Sequence, residues 1–140
     1  GGKDSAKKSI EDIVQVLQGG GNVLIFPEGT THDGVNMGRF YSRLLQAAFD
    51  AGVMVQPLAI SYPHQDGVHP HAPYVGDVEL GKNAIDLIVS NDVVVHIDLL
   101  PPLNPAEFSC RKSITNAAKT AIADMVYKRH AINSNQIEFP

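Results

Sequence analysis

Cysteine is nearly missing from this chain. Cys110 stands alone, so no internal disulfide can form and no cysteine-based zinc site exists. That usage suits a reducing compartment. Long apolar runs are missing too, and none approaches the roughly 20 residues that cross a bilayer as a helix. Cations are in the minority, with 11 Lys and Arg against 15 Asp and Glu and a formal charge of -4. That balance argues against a duplex nucleic-acid binder, which needs clustered cations. There is no initiating Met and no signal-peptide pattern, since the chain opens Gly1-Gly2-Lys3-Asp4. The expectation is a fragment or processed product, so the lack of a spanning segment says nothing of a longer parent.

The 140 residues fit one domain, and such a domain buries roughly two-thirds of its unfolded surface. The hydrophobic share of 44% and charged share of 19% are those of a globular protein. Ala6, Ile10, Ile13, Val14 and Leu17 recur at helical spacing, which predicts a helix from about Asp4 to Gln18. Gly19-Gly20-Gly21 should end it. Asn22 to Phe26 reads as a fully buried strand. Phe40, Leu44, Ala47, Ala48 and Ala51 mark a second helix, closed by Gly52. Val53 to Tyr62 reads as a strand in which Pro57 marks an edge or bulge.

Pro63 to Pro73 reads as loop. Tyr74 to Val78 is expected as a short strand and Asn83 to Val89 as a short helix. Asp92 to Leu99 reads as a buried strand stopped by Pro101-Pro102. Ile114, Ala118, Ala121, Ile122 and Met125 predict a last helix from about Ser109 to Arg129, and the tail after Ala131 should fray. The alternation of helices and strands predicts an α/β fold. The sheet is expected to be largely parallel or mixed, with helices on both faces and incomplete at the N-terminus.

The segment with the most chemistry is Phe26-Pro27-Glu28-Gly29-Thr30. Pro27 cannot donate to a ladder, so the backbone should leave the sheet there. Glu28 is then expected to enter the crevice above the strand ends, where α/β proteins place ligands. Its carboxylate accepts hydrogen bonds from hydroxyls or amines. Gly29 permits a positive φ or close approach of a ligand. Thr30 and Thr31 add hydroxyls, and successive loop amides can hold an oxyanion. A phosphorylated ligand needs a cation as well, and Arg39 and Arg43 are the candidates, with Lys3 the weaker. The alternative is that Glu28 only caps the loop and pairs with an arginine.

Phe26-Pro27-Glu28-Gly29-Thr30 resembles the third motif of the glycerolipid acyltransferases, the 1-acylglycerol-3-phosphate acyltransferase group. Val55-Gln56-Pro57-Leu58-Ala59-Ile60 resembles the fourth motif. Gly76-Asp77 and the later strand with Pro101-Pro102 resemble bacterial members, including those acting on lyso-ornithine lipids. The similarity runs from Ser5 to about Val126, within a single partial domain spanning 1–140. It implies transfer of a fatty acyl group from a thioester, on coenzyme A or acyl carrier protein, to a lysolipid hydroxyl. It implies no bound cofactor or metal and contact with the cytoplasmic side of a membrane, peripheral or anchored through a missing N-terminal part. In such enzymes a His acts as base and an Asp five positions later orients it. Pro27, Glu28, Gly29 and Thr30, with Arg39 and Arg43, are then the substrate-binding candidates.

The first motif of the family has no counterpart. Five positions after His32, His64, His69, His71, His96 and His130 stand Met37, His69, Tyr74, Gly76, Pro101 and Asn135. None is acidic, so no catalytic residue is assigned in this chain, which is expected to be inactive alone. Thr31 stands where many members carry Arg, and Tyr41 where many carry Lys. Those departures favour another head group, or one read through Arg39 or Arg43. His64, His69 and His71 form a loop cluster read as solvated surface, with a metal as the alternative. Cys110 is read as structural. The competing class for the whole chain is a non-catalytic α/β module that binds phosphate or a metal.

Overall fold

The computed structural model describes residues 2–30, 36–64, 67–70, 85, 89, 90 and 93–135. Its elements are α1 (Gly2–Gln18), α2 (Gln46–Ala51), β1 (Leu58–Ser61), β2 (Pro63–His64), β3 (Gly67–Val68), β4 (His96–Leu99), a 3-10 turn (Pro105–Glu107) and α3 (Arg111–Asn135). They fall into two compact units. The first holds 1–29, 39–57 and 101–120, and the second holds 30–38, 58–100 and 121–140.

In the first unit α1 packs on α2. Ile10, Ile13, Val14 and Leu17, the stripe set out by spacing, are the half-buried positions of α1. The glycine run closes that helix. Gly21 N–H donates to Val16 C=O at 2.9 Å and Gly20 N–H to Leu17 C=O at 3.1 Å, the paired bonds of a Schellman end. Leu45, Ala47, Ala48, Ile114 and Ala118 form the buried core of this unit. Small alanines let helices approach closely, and Ile114, at 0% exposed, supplies the bulk. Thr115, also buried, places its hydroxyl on Arg111 C=O at 2.6 Å. Val55 and Leu103 exchange N–H···O bonds of 2.9 and 2.8 Å and tie the two chain segments together. Asn104 caps the 3-10 turn by accepting from Ala106 N–H at 3.1 Å.

In the second unit β1 and β4 pair antiparallel, with Ala59 opposite Asp98 and Ser61 opposite His96. Ala59 and Ser61 are buried, while Ile60, Ile97 and Leu99 on the other face are exposed. Asp98 is gripped at both oxygens by Arg129 of α3, with Nε at 2.9 Å from Oδ2 and Nη2 on Oδ1. That bidentate pair fixes the second half of α3 to β4.

Helices and strands together bear out the α/β class. Several expectations change. Every strand pairing among the described residues is antiparallel, so the parallel arrangement is not found there. Residues 22–26 are not a strand, and Leu24 and Phe26 are 67% and 71% exposed rather than buried. An apolar run becomes a strand only when neighbours supply its ladder, and no described strand pairs with this one. The second predicted strand contracts to Leu58–Ser61, since Pro57 offers no N–H. The fourth begins at His96, after Val93-Val94-Val95. Pro63–Pro73, read as loop, contains the β2–β3 hairpin, with Gly67 at φ 111°. The segment 74–78 lies outside the described residues, as does most of 83–89, of which Ile85 and Val89 are helical.

Candidate functional site

Pro27, Glu28 and Gly29 form a tight turn in the first unit. Gly29 N–H donates to Phe26 C=O at 3.2 Å, which closes four residues with Pro27 and Glu28 at the centre. Pro pre-sets the φ that the second position of such a turn requires, and Gly is favoured at the fourth. Gly29 has φ 68°, a left-handed conformation that costs other residues roughly 1–2 kcal/mol. The sequence order Pro-Glu-Gly therefore specifies the turn, and the turn sets Glu28 at its apex, half-buried.

The chain returns to this turn at Tyr41, whose N–H donates to Pro27 C=O at 2.8 Å. The Tyr41 ring lies against Gly29, where an added Cβ would stand 3.7 Å from Cδ2 and Cε2. Arg39 in turn places its guanidinium carbon 5.4 Å from the centre of the Tyr41 ring. Phe40 between them lies under Lys119 of α3, with Nζ 5.9 Å from its ring centre. Both separations are within reach of cation–π attraction. Four of the substrate-binding candidates, Pro27, Glu28, Gly29 and Arg39, are thus joined through one aromatic ring and one backbone bond. Arg43 belongs to the same unit and is exposed, but no contact joins its side chain to the turn among the described residues. Thr30 is an exposed bend residue of the second unit, and Thr31 lies outside the described residues.

The contact that sequence reading missed is Tyr41. In the sequence Tyr41 is marked only by standing where many members of the resembled family carry Lys. Sequence offers no direct signal for it, because the turn that its ring abuts lies twelve residues earlier at Gly29.

Residues 1–61 match the family described as Acyltransferase. The chain is 40% identical over 111 residues to a lyso-ornithine lipid O-acyltransferase of Pseudomonas aeruginosa, covering 79% of this chain and 42% of that protein. The glycerolipid acyltransferase family includes this chain. A 1-acyl-sn-glycerol-3-phosphate acyltransferase of Neisseria meningitidis is 27% identical to it over 128 residues, 86% of this chain and 50% of that protein. A lyso-ornithine lipid O-acyltransferase of Rhizobium meliloti is 29% identical, over 91% of this chain and 48% of that protein. The chain spans about half the length of these curated relatives, or somewhat less. No solved structure matches it at a significant level.

Elsewhere in the chain, His64 and His69 meet edge to face with ring centres 5.2 Å apart. His69 is buried, and its Nε2 lies 3.2 Å from Ser90 Oγ. His71 lies outside the described residues. No group of three potential metal ligands occurs among the described residues. Cys110 is exposed rather than packed. Hydrogen bonds from the Ser113 and Lys112 backbone at the start of α3 lower its thiol below the ordinary range. No helix among the described residues is long and apolar enough to cross a membrane.

Proposed function

We propose that this chain is the acceptor-binding portion of a lysolipid O-acyltransferase. The observation that carries the reading is the 40% identity over 79% of the chain to a lyso-ornithine lipid O-acyltransferase. The Pro27–Gly29 turn supports it by presenting one carboxylate with an arginine tied nearby.

In this reading Glu28 and the turn amides hold the polar head of the lysolipid, and Gly29 lets it approach the main chain. A histidine base takes the proton of the acceptor hydroxyl. The hydroxyl oxygen attacks the thioester carbonyl, the carbon–sulfur bond breaks and the thiol leaves with a proton. Coenzyme A and acyl carrier protein are both suitable carriers of the donor. The base belongs to the family's His-four residues-Asp motif, which none of the six histidines here satisfies. The 140 residues alone are therefore expected to be inactive, as one partial domain that works at a membrane surface.

The test is an acceptor screen on the protein that carries this chain, with lyso-ornithine lipid and 1-acylglycerol 3-phosphate against several acyl thioesters. Ester formation on a lysolipid is expected. Failure with every pair overturns the function. Turnover by the 140 residues alone overturns the placement of the base outside them.

A further inference from the structure

We propose that Tyr41 is a positioning residue that holds Arg39 at the Pro27–Gly29 turn, so that Arg39 rather than Arg43 grips the anionic group of the lipid acceptor. This rests on the acceptor-binding reading above and goes further by choosing the cation and naming what aims it.

Three contacts in one unit carry the choice. The backbone of Tyr41 is bonded to Pro27, its ring abuts Gly29, and the Arg39 guanidinium lies over that ring. The bond to Pro27 fixes the position of Tyr41 relative to the turn. The ring then gives Arg39 a flat, apolar platform that leaves the N–H fork available for a carboxylate or a phosphate. Among the described residues the ring is the one side-chain partner of Arg39, and no described carboxylate is bonded to its fork. Arg43 has no such platform among the described residues.

The pairing suits a particular chemistry. Glu28 at the apex of the turn accepts from an amine or hydroxyl, while Arg39 binds an anion. An ornithine head offers an amine and a carboxylate, and a glycerol phosphate offers a hydroxyl and a phosphate. The shared requirement is an anionic group, and the two lysolipids separate the sources.

The experiment titrates each lysolipid in neutral detergent micelles into the full-length protein that carries this chain, without acyl donor. Arg39→Gln is expected to weaken binding of at least one lysolipid by about tenfold or more, the scale of a lost charge-assisted hydrogen-bond pair. Arg43→Gln should stay within about twofold. Tyr41→Leu keeps bulk against Gly29 but removes the π face, and a loss of about two- to fivefold is expected. Tyr41→Phe should keep wild-type binding, which a role for the hydroxyl would not give, and its contrast with Tyr41→Leu separates the π face from simple bulk.

Acceptor KM in the transfer assay should follow the same order, with donor KM and thermal midpoint unmoved. Loss with Arg43→Gln and none with Arg39→Gln overturns the assignment of the cation and leaves the acceptor-binding reading intact. Equal loss with Tyr41→Leu and Tyr41→Phe overturns the role of the ring. A wild-type protein that binds neither lysolipid overturns both readings.

Discussion

Glu28 and Gly29 sit side by side in one turn and depend on different physics. Glu28 acts through its carboxylate, so Glu28→Gln removes charge while keeping shape. Its expected effect is a drop of about ten- to a hundredfold in turnover, the scale of a lost hydrogen bond to a charged group. The thermal midpoint should hold within a degree or two, since a half-exposed polar swap seldom costs more than about 0.5 kcal/mol. A parallel fall in both would return Glu28 to a loop-capping role. Gly29 acts through φ 68°. Space is not the obstacle, because the nearest ring atoms to an added Cβ are at ordinary contact distance. Gly29→Ala is therefore expected to lower stability by roughly 1–2 kcal/mol through backbone strain, read by urea denaturation. This turn was legible in the sequence because Pro, Glu and Gly each have one reason to be where they are. The ring of Tyr41 was not, since only folding reveals which side chain returns to a turn twelve residues on.

At the scale of elements, helices were more legible than strands. The stripes of α1 and α3 were readable because a helix satisfies its own backbone, and its pattern depends only on local spacing. The run Val23-Leu24-Ile25-Phe26 failed because a strand is defined by partners, and hydrophobicity alone supplies none. Two substitutions separate the cases. Ile114, fully buried on α3, should cost about 2–5 kcal/mol when changed to Ala. Leu24→Ala, at 67% exposed, should change the stability of the 140-residue chain by no more than about 0.5 kcal/mol. Equal losses in chemical denaturation would mean that the run is packed after all. Helix ends allow a further check. Gly52 closes α2 at φ 65°, with its N–H on Ala48 and Phe49 carbonyls. Gly52→Ala is expected to cost roughly 1–2 kcal/mol, while Gly52→Asn should recover part of that loss because Asn tolerates the left-handed region better.

For the molecule as a whole, two described groups with depressed titration, Asp98 and His130, both belong to the second unit. Arg129 is hydrogen-bonded to both oxygens of Asp98 and holds its carboxyl below the ordinary value, with His96 and Lys128 adding to the same direction. Burial pushes the His130 imidazole down from its ordinary value. Both are depressed in the folded state, so both have the same sign. The unfolded chain binds the proton more readily, and stability rises with pH between the folded and unfolded values. The His130 contribution is complete above about pH 6.5 and is lost as pH falls through its lower folded value. The Asp98 contribution is complete above about pH 4 and is lost further into acid. Stability measured by urea midpoints from pH 8 to pH 3 should therefore fall in two stages. His130→Gln should flatten the upper stage and leave the lower. Asp98→Asn should flatten the lower, and because it also weakens the grip of Arg129 it should reduce stability at neutral pH. An upper stage that persists unchanged in His130→Gln would overturn its assignment to the buried His130 imidazole.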